Sequence, residues 1–141
     1  MTKVLIINGP NLNLLGSREP EIYGTTTLEE LDALCVEWGR QLDFEVSTFQ
    51  SNHEGEIIDK IHDAIGTAGI IINAGALTHY SYAIYDALVA VGLPTIEVHI
   101  SDIHAREEWR SKSVIQPACL AQISGRGLEG YRKALEVLAE G

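Results

Sequence analysis

Two stretches of this sequence, residues 4–7 (Val-Leu-Ile-Ile) and 69–72 (Gly-Ile-Ile-Ile), lack any polar residue, and that feature most restricts the fold. A strand half exposed to water alternates apolar and polar side chains, whereas a run without alternation has to be covered on both faces. Helices supply such cover, so the chain is expected to build a parallel sheet between two helical layers. Helical signals lie where this requires them. Thr27 followed by Glu30 is a capping-box sequence, and Leu28, Leu31, Leu34, Cys35, Trp38 and Leu42 continue at helical spacing. Ile57, Ile58, Ile61 and Ile65 mark a second helix, residues 80–91 a third and residues 128–139 a last one. Residues 44–49, 95–98 and 120–124 read as further strands.

Five strands alternating with helices predict an α/β fold with right-handed crossovers. The commonest solution is flavodoxin-like, a five-stranded parallel sheet of order 2-1-3-4-5 with helices on both faces. At 141 residues and 45% hydrophobic content the chain suits one domain spanning 1–141. In such sheets ligands bind beyond the carboxyl ends of the strands, where the order reverses between the first and third. Residues 8–23, 73–79 and 99–110 leave three strands at that edge, so one site can collect them. The connection 9–26 is longer than the about 2–6 residues usual for a βα loop, and its part at about 16–26 reads as an active-site lid.

Charge narrows the function. A formal net charge of -10 and scattered cations argue against nucleic-acid binding, which needs a basic face. The apolar run at residues 4–7 is too short for a signal peptide or a membrane span. Cys35 and Cys119 make no disulfide framework, and a reduced cytoplasm is the natural setting. If the substrate is an anion, the chain needs a local positive cluster against its own field.

Several residues offer chemistry. Arg18 and Tyr23 flank Pro20 in the long connection. A tyrosine is a poor base near its ordinary value of about 10, and a neighbouring arginine favours the phenolate, although such a pair is more often simple packing. Glu97 and His99 stand two apart at a strand end and share a face, so the carboxylate can orient the imidazole of a general acid. Asp102 and His104 add metal-ligand types nearby, but without a recognised ligand spacing, and no metal is expected. If residues 105–112 are helical, Arg106 and Arg110 share a face and supply positive potential, or simply pair with Glu107 and Glu108. Residues 125–130 match GxGxxG between a strand and a helix. No further βαβ unit follows to complete a dinucleotide site, so this is read as a tight turn.

Three motifs coincide in order: Asn8-Gly9-Pro10-Asn11-Leu12 with Arg18-Glu19-Pro20 and Tyr23-Gly24, then Asn73-Ala74-Gly75-Ala76-Leu77-Thr78-His79, then Glu97-Val98-His99-Ile100-Ser101 with His104-Ala105-Arg106-Glu107-Glu108. Together they strongly resemble the type II 3-dehydroquinate dehydratases, along essentially the whole chain. The resemblance implies a lyase acting on 3-dehydroquinate in the shikimate pathway, with no metal or organic cofactor. It implies Tyr23 as the base at C2, Arg18 as the lid residue that keeps it ionised, Asn11 holding a water near the enolate oxygen, and His99 as the acid, supported by Glu97. Asn73 and the amides of Ile100 and Ser101 would contact the carboxylate and C1 hydroxyl, His79 and Arg110 the ring hydroxyls, and Arg106 would order the lid. Asp86 would reach a neighbouring subunit's site within a dodecamer built from trimers. Tyr85 stands where relatives often carry Arg, and Ala76 where Gly is common.

Other classes remain to be weighed. A flavodoxin-like ligand-binding module without catalysis is the alternative, as an FMN carrier or a receiver domain. Asn73, where a receiver needs a phosphoacceptor carboxylate, speaks against the latter. A metal-assisted hydrolase would use His99, Asp102 and His104 and lose activity to chelators.

Overall fold

The computed structural model describes all residues, Met1–Gly141. Strands β1 (Thr2–Asn8), β2 (Phe44–Gln50), β3 (Gly69–Asn73), β4 (Thr95–His99) and β5 (Ala121–Ser124) form one sheet of order β2-β1-β3-β4-β5. Every pairing is parallel. Helices α2 (Leu28–Gln41), α3 (Glu54–Asp63), α4 (Tyr82–Val91) and α5 (Glu129–Glu140) connect or follow the strands, and a single turn, α1 (Pro20–Tyr23), lies in the first connection. The expected strand order is therefore observed.

Alternate residues of the apolar runs feed two cores. Val4, Ile6, Ile71, Ile96 and Val98 pack with Leu31, Cys35, Tyr131 and Leu135 of α2 and α5 on one face. Leu5, Ile7, Ile70 and Ile72 pack with Ile57, Ile61, Ile84 and Leu88 of α3 and α4 on the other. This is why the runs do not alternate: both faces of β1 and β3 are dry. The α2 start is set as its sequence indicates. Thr27 accepts from the Glu30 amide at 3.2 Å and Glu30 accepts from the Thr27 amide at 2.9 Å.

Some boundaries differ from the sequence reading. Ile65, expected on the apolar face of α3, lies past its end at Asp63 and is exposed. The third long helix begins at Tyr82 rather than residue 80, because Ser81 caps it by accepting from the Ile84 amide. Leu120 is 71% exposed and precedes β5. Residues 105–112 form no α-helix. Arg106 is extended (φ -106, ψ -157) and separates two 3-10 turns, Ile103–Ala105 and Glu108–Arg110. The 9–26 connection is partly anchored, since Leu12 and Leu15 are buried in the first core.

Register places the site. Asn8 pairs with Asn73 across β1 and β3, so the two adjacent strands on either side of the reversal release their chains at one level. The exits approach so closely that a side chain is excluded: a Cβ on Gly9 would sit 2.6 Å from the Ala74 carbonyl oxygen.

Candidate active site

A cavity of about 160 Å³ opens at this edge, small beside the ~300–1,000 Å³ usual for drug-sized ligands. Pro10, Asn11 and Leu12 enter it from the β1 exit, Arg18 and Tyr23 from the long connection, and Asn73, Gly75, Ala76 and His79 from the β3 exit. The β4 exit contributes His99, Ile100, Ser101, Ile103, Arg106 and Arg110. No Asp or Glu lines it, although the chain has twenty. Its charge is therefore opposite to that of the protein around it.

Tyr23 is held by two arginines. Arg106 Nη1 donates to the phenol oxygen at 2.5 Å, and the Arg18 guanidinium lies 5.2 Å from the ring centroid. The closer contact to the oxygen thus comes from Arg106, 83 residues away, and Arg18 faces the ring. Arg106 also reaches Glu19 at 3.5 Å and Ser101 Oγ at 3.4 Å, tying the connection to the β4 exit. Glu107 takes up Arg110 at 3.0 Å, and its hydrogen bonds hold its carboxyl below the usual range.

Glu97 and His99 point to one face of β4, as their spacing requires. His99 Nε2 lies 2.5 Å from Glu97 Oε2, with both residues buried. That contact commits Nε2 to the carboxylate and leaves Nδ1 as the nitrogen for the cavity. Burial is the largest cause lowering the His79 value, and the Lys112 carbonyl opposes it. His79 Nδ1 donates to that carbonyl at 2.6 Å, leaving Nε2 free.

Deeper groups fix the strand ends. The Tyr131 hydroxyl donates to Asn8 Oδ1 at 2.6 Å and accepts from Asn73 Nδ2 at 3.0 Å, while Asn73 Oδ1 accepts from the Gly75 amide at 3.2 Å. Asn11 has φ 70, and its amide donates to Asn52 Oδ1 at 2.9 Å. Gln50 braces the same loop by donating to the Gly9 carbonyl at 3.2 Å. The glycine turn after β5 also acts here. Gly127 donates to the Ile100 carbonyl at 3.0 Å, and because a trans peptide opposes its carbonyl and following N–H, the Ser101 N–H is turned away from that turn.

The class II dehydroquinase profile matches residues 2–139 of this chain. The chain belongs to that family. It is 62% identical to a 3-dehydroquinate dehydratase of Caldicellulosiruptor bescii, over 99% of this chain and 98% of that one. It superposes on the crystal structure of a type II dehydroquinase from Propionibacterium acnes with a TM-score of 0.96 and 46% identity, covering 100% and 98% of the two chains. The corresponding figures for the type II dehydroquinase of Butyrivibrio crossotus are 0.95, 54%, and 97% of each chain.

In this class II dehydroquinase, Asn11, Arg18, Tyr23, Asn73, His79, His99, Ile100, Ser101, Arg106 and Arg110 meet at the cavity, with Glu97 directly behind His99. Asp86 does not join them; it is exposed on α4. His99, Asp102 and His104 do not converge as metal ligands. Asp102 instead accepts from the His104 amide, and His104 Nε2 faces Gln122. Cys35 and Cys119 thiols are both pushed up to about 12, chiefly by burial, so neither is a thiolate at neutral pH. Sequence reading gave no role to Asn8, although it opens the first motif, and missed Gln50, Asn52, Gln122 and Tyr131, which support the site across long separations and carry no local signature.

Proposed function

We propose that the chain dehydrates 3-dehydroquinate to 3-dehydroshikimate in the shikimate pathway, through an enolate. The observation that carries this reading is the lining: three arginines, two histidines and a tyrosine, without a carboxylate, in a protein of net charge -10. Such a site favours a small anion and can stabilise negative charge that develops on it.

The proton beside a ketone is weakly acidic and needs a positioned base. Tyr23, as phenolate, takes the C2 proton; the electron pair moves onto the ketone oxygen as an enolate, near a water held by Asn11. Two guanidinium groups face the tyrosine that carries negative charge before it takes that proton. The enolate then re-forms the ketone and expels the C1 hydroxyl. His99 protonates that oxygen, so that water leaves and the C1–C2 double bond forms. Glu97 accepts from His99 Nε2 and keeps the acidic face of the ring toward substrate. Asn73 and the amides of Ile100 and Ser101 hold the carboxylate and C1 hydroxyl, and His79 and Arg110 hold ring hydroxyls. Residues 16–26 act as the lid, latched by Arg106 to Glu19 and Tyr23.

Assembly into a dodecamer of trimers belongs to the same reading. Asp86 lies on α4 with Tyr82 and Val89, which are 61% and 54% exposed, and this face would bring Asp86 to a neighbouring site. A cytoplasmic setting fits two free thiols.

Enone-carboxylate absorbance on mixing chelator-treated protein with 3-dehydroquinate tests the reaction, run beside Tyr23→Phe. Turnover by the parent and near-complete loss in the variant are expected. An active Tyr23→Phe protein would remove Tyr23 as the base. A folded but inactive parent would favour the binding-module alternative.

A further inference from the structure

Behind Glu97 a second polar chain runs toward the surface. Gln122 on β5 sits opposite Glu97 in the strand register, and its Nε2 donates to Glu97 Oε2 at 3.1 Å. This is the oxygen that meets His99 Nε2 at 2.5 Å. The other carboxylate oxygen, Oε1, is buried without a hydrogen-bond partner. Gln122 is therefore one of only two side chains that engage this buried carboxylate. On its far side, Gln122 Oε1 lies 3.2 Å from Nε2 of the exposed His104.

The polarity of this chain follows from chemistry. A carboxylate only accepts, so Gln122 has to present its amide nitrogen to Glu97. Its oxygen then faces His104, which has to carry its proton on Nε2. A reversed amide would set two oxygens against each other beside a buried charge.

We propose that Gln122 is a positioning residue for the general acid, and that His104 fixes its amide in the working orientation. Gln122 holds Glu97 so that Oε2 takes His99 Nε2 and His99 Nδ1 stays toward the leaving hydroxyl. This rests on the assignment of His99 as acid. The glutamine acts on departure of water and not on substrate binding, because it does not line the cavity.

The test is a steady-state comparison on the intact enzyme, with parent turnover first establishing the reaction and Glu97→Gln lowering kcat if the acid assignment holds. Gln122→Met keeps the length of the side chain and removes both polar atoms. It should lower kcat about tenfold, the scale of one hydrogen bond to a charged group, with KM within about twofold. In a Glu97→Gln background the same change should alter kcat less than about twofold, because the group it orients is already gone. His104→Ala, at an exposed position, should lower kcat about threefold in the parent and have no effect in Gln122→Met. Should Gln122→Met fail to fold, His104→Ala in the parent and in Glu97→Gln decides the matter in the same way. Equal losses in both backgrounds, a change in KM alone, or unchanged kcat would overturn the assignment.

Discussion

Tyr131→Phe removes one oxygen atom, and the structure sets what that atom is worth. The side chain is fully buried, its hydroxyl donates to Asn8 Oδ1 at 2.6 Å and accepts from Asn73 Nδ2 at 3.0 Å, and both asparagines are buried. Burial raises the Tyr131 value well above that of an ordinary phenol, so the group stays neutral at any working pH and ionisation plays no part. Phenylalanine keeps the ring packing and leaves an acceptor on Asn8 and a donor on Asn73 without partners. Each buried group so abandoned costs ~1–3 kcal/mol, and sharing of the strain sets the expected loss at about 2–4 kcal/mol. With a urea m-value of about 2 kcal/mol/M for a domain of this size, the unfolding midpoint should fall by about 1–2 M at fixed protein concentration. Asn73 keeps its bond to the Gly75 amide but loses its other anchor at the cavity, so KM for 3-dehydroquinate should rise while Tyr23 and its arginines are untouched. A midpoint within about 0.25 M of the parent, with unchanged m, would show that the three side chains do not form a stabilising network.

Two further perturbations probe the charge of the site. Arg106→Leu removes the bond to the Tyr23 oxygen and the link to Glu19; a charge-assisted bond of about 2–3 kcal/mol corresponds to a loss in kcat of about 100-fold, read by enone absorbance, and a kcat within threefold would refute the pairing. The His79 value is lowered in the folded state, chiefly by burial. Between that value and the unfolded value near about 6.5 the unfolded chain binds the extra proton. Its contribution to stability is thus present above about pH 6.5 and is lost as pH falls through the folded value. Urea midpoints of the parent should therefore drop below pH 6.5 more than those of His79→Gln, and parallel curves would contradict it.

The parts of this molecule legible in its sequence are those fixed by local rules. The runs around Ile6 and Ile71 dictated covered strands, and Thr27 with Glu30 marked the start of α2. Glu97 and His99 share a face because strand side chains alternate. Two helix ends differ for local reasons: α3 stops at Asp63, short of Ile65, with Gly66 at φ 97 just beyond, and Ser81 caps α4. At the site, nonlocal contacts decide. At the β4 exit, a helix over residues 105–112 would set Arg106 and Arg110 on one face. Instead Arg106 is extended, so its side chain crosses to Tyr23 while Arg110 turns to Glu107. The partners of Asn73 and Glu97 lie 58 and 25 residues away, on elements whose own patterns concern only their cores.

The distribution of charge around the cavity shows what side-chain pairing adds to the overall composition. At an effective dielectric of about 20, a carboxylate ~5 Å from a bound carboxylate would oppose it by roughly 3 kcal/mol. That would undo most of what one arginine contributes. The acidic groups nearest the cavity avoid this by pairing outside its lining. Glu19 meets Arg106, and Glu107 meets Arg110 and, at 3.8 Å, Arg106. These pairs restrain the guanidinium groups while their faces remain at the cavity. Glu97 is the exception, a buried carboxylate immediately behind the site. Its charge is directed at His99 Nε2 and Gln122 Nε2 rather than at the ligand. A negative surface and a cavity free of carboxylates coexist because each nearby carboxylate is taken up outside the lining, Glu107 by its neighbours in sequence, Glu19 by the distant Arg106, and Glu97 by His99 and the distant Gln122.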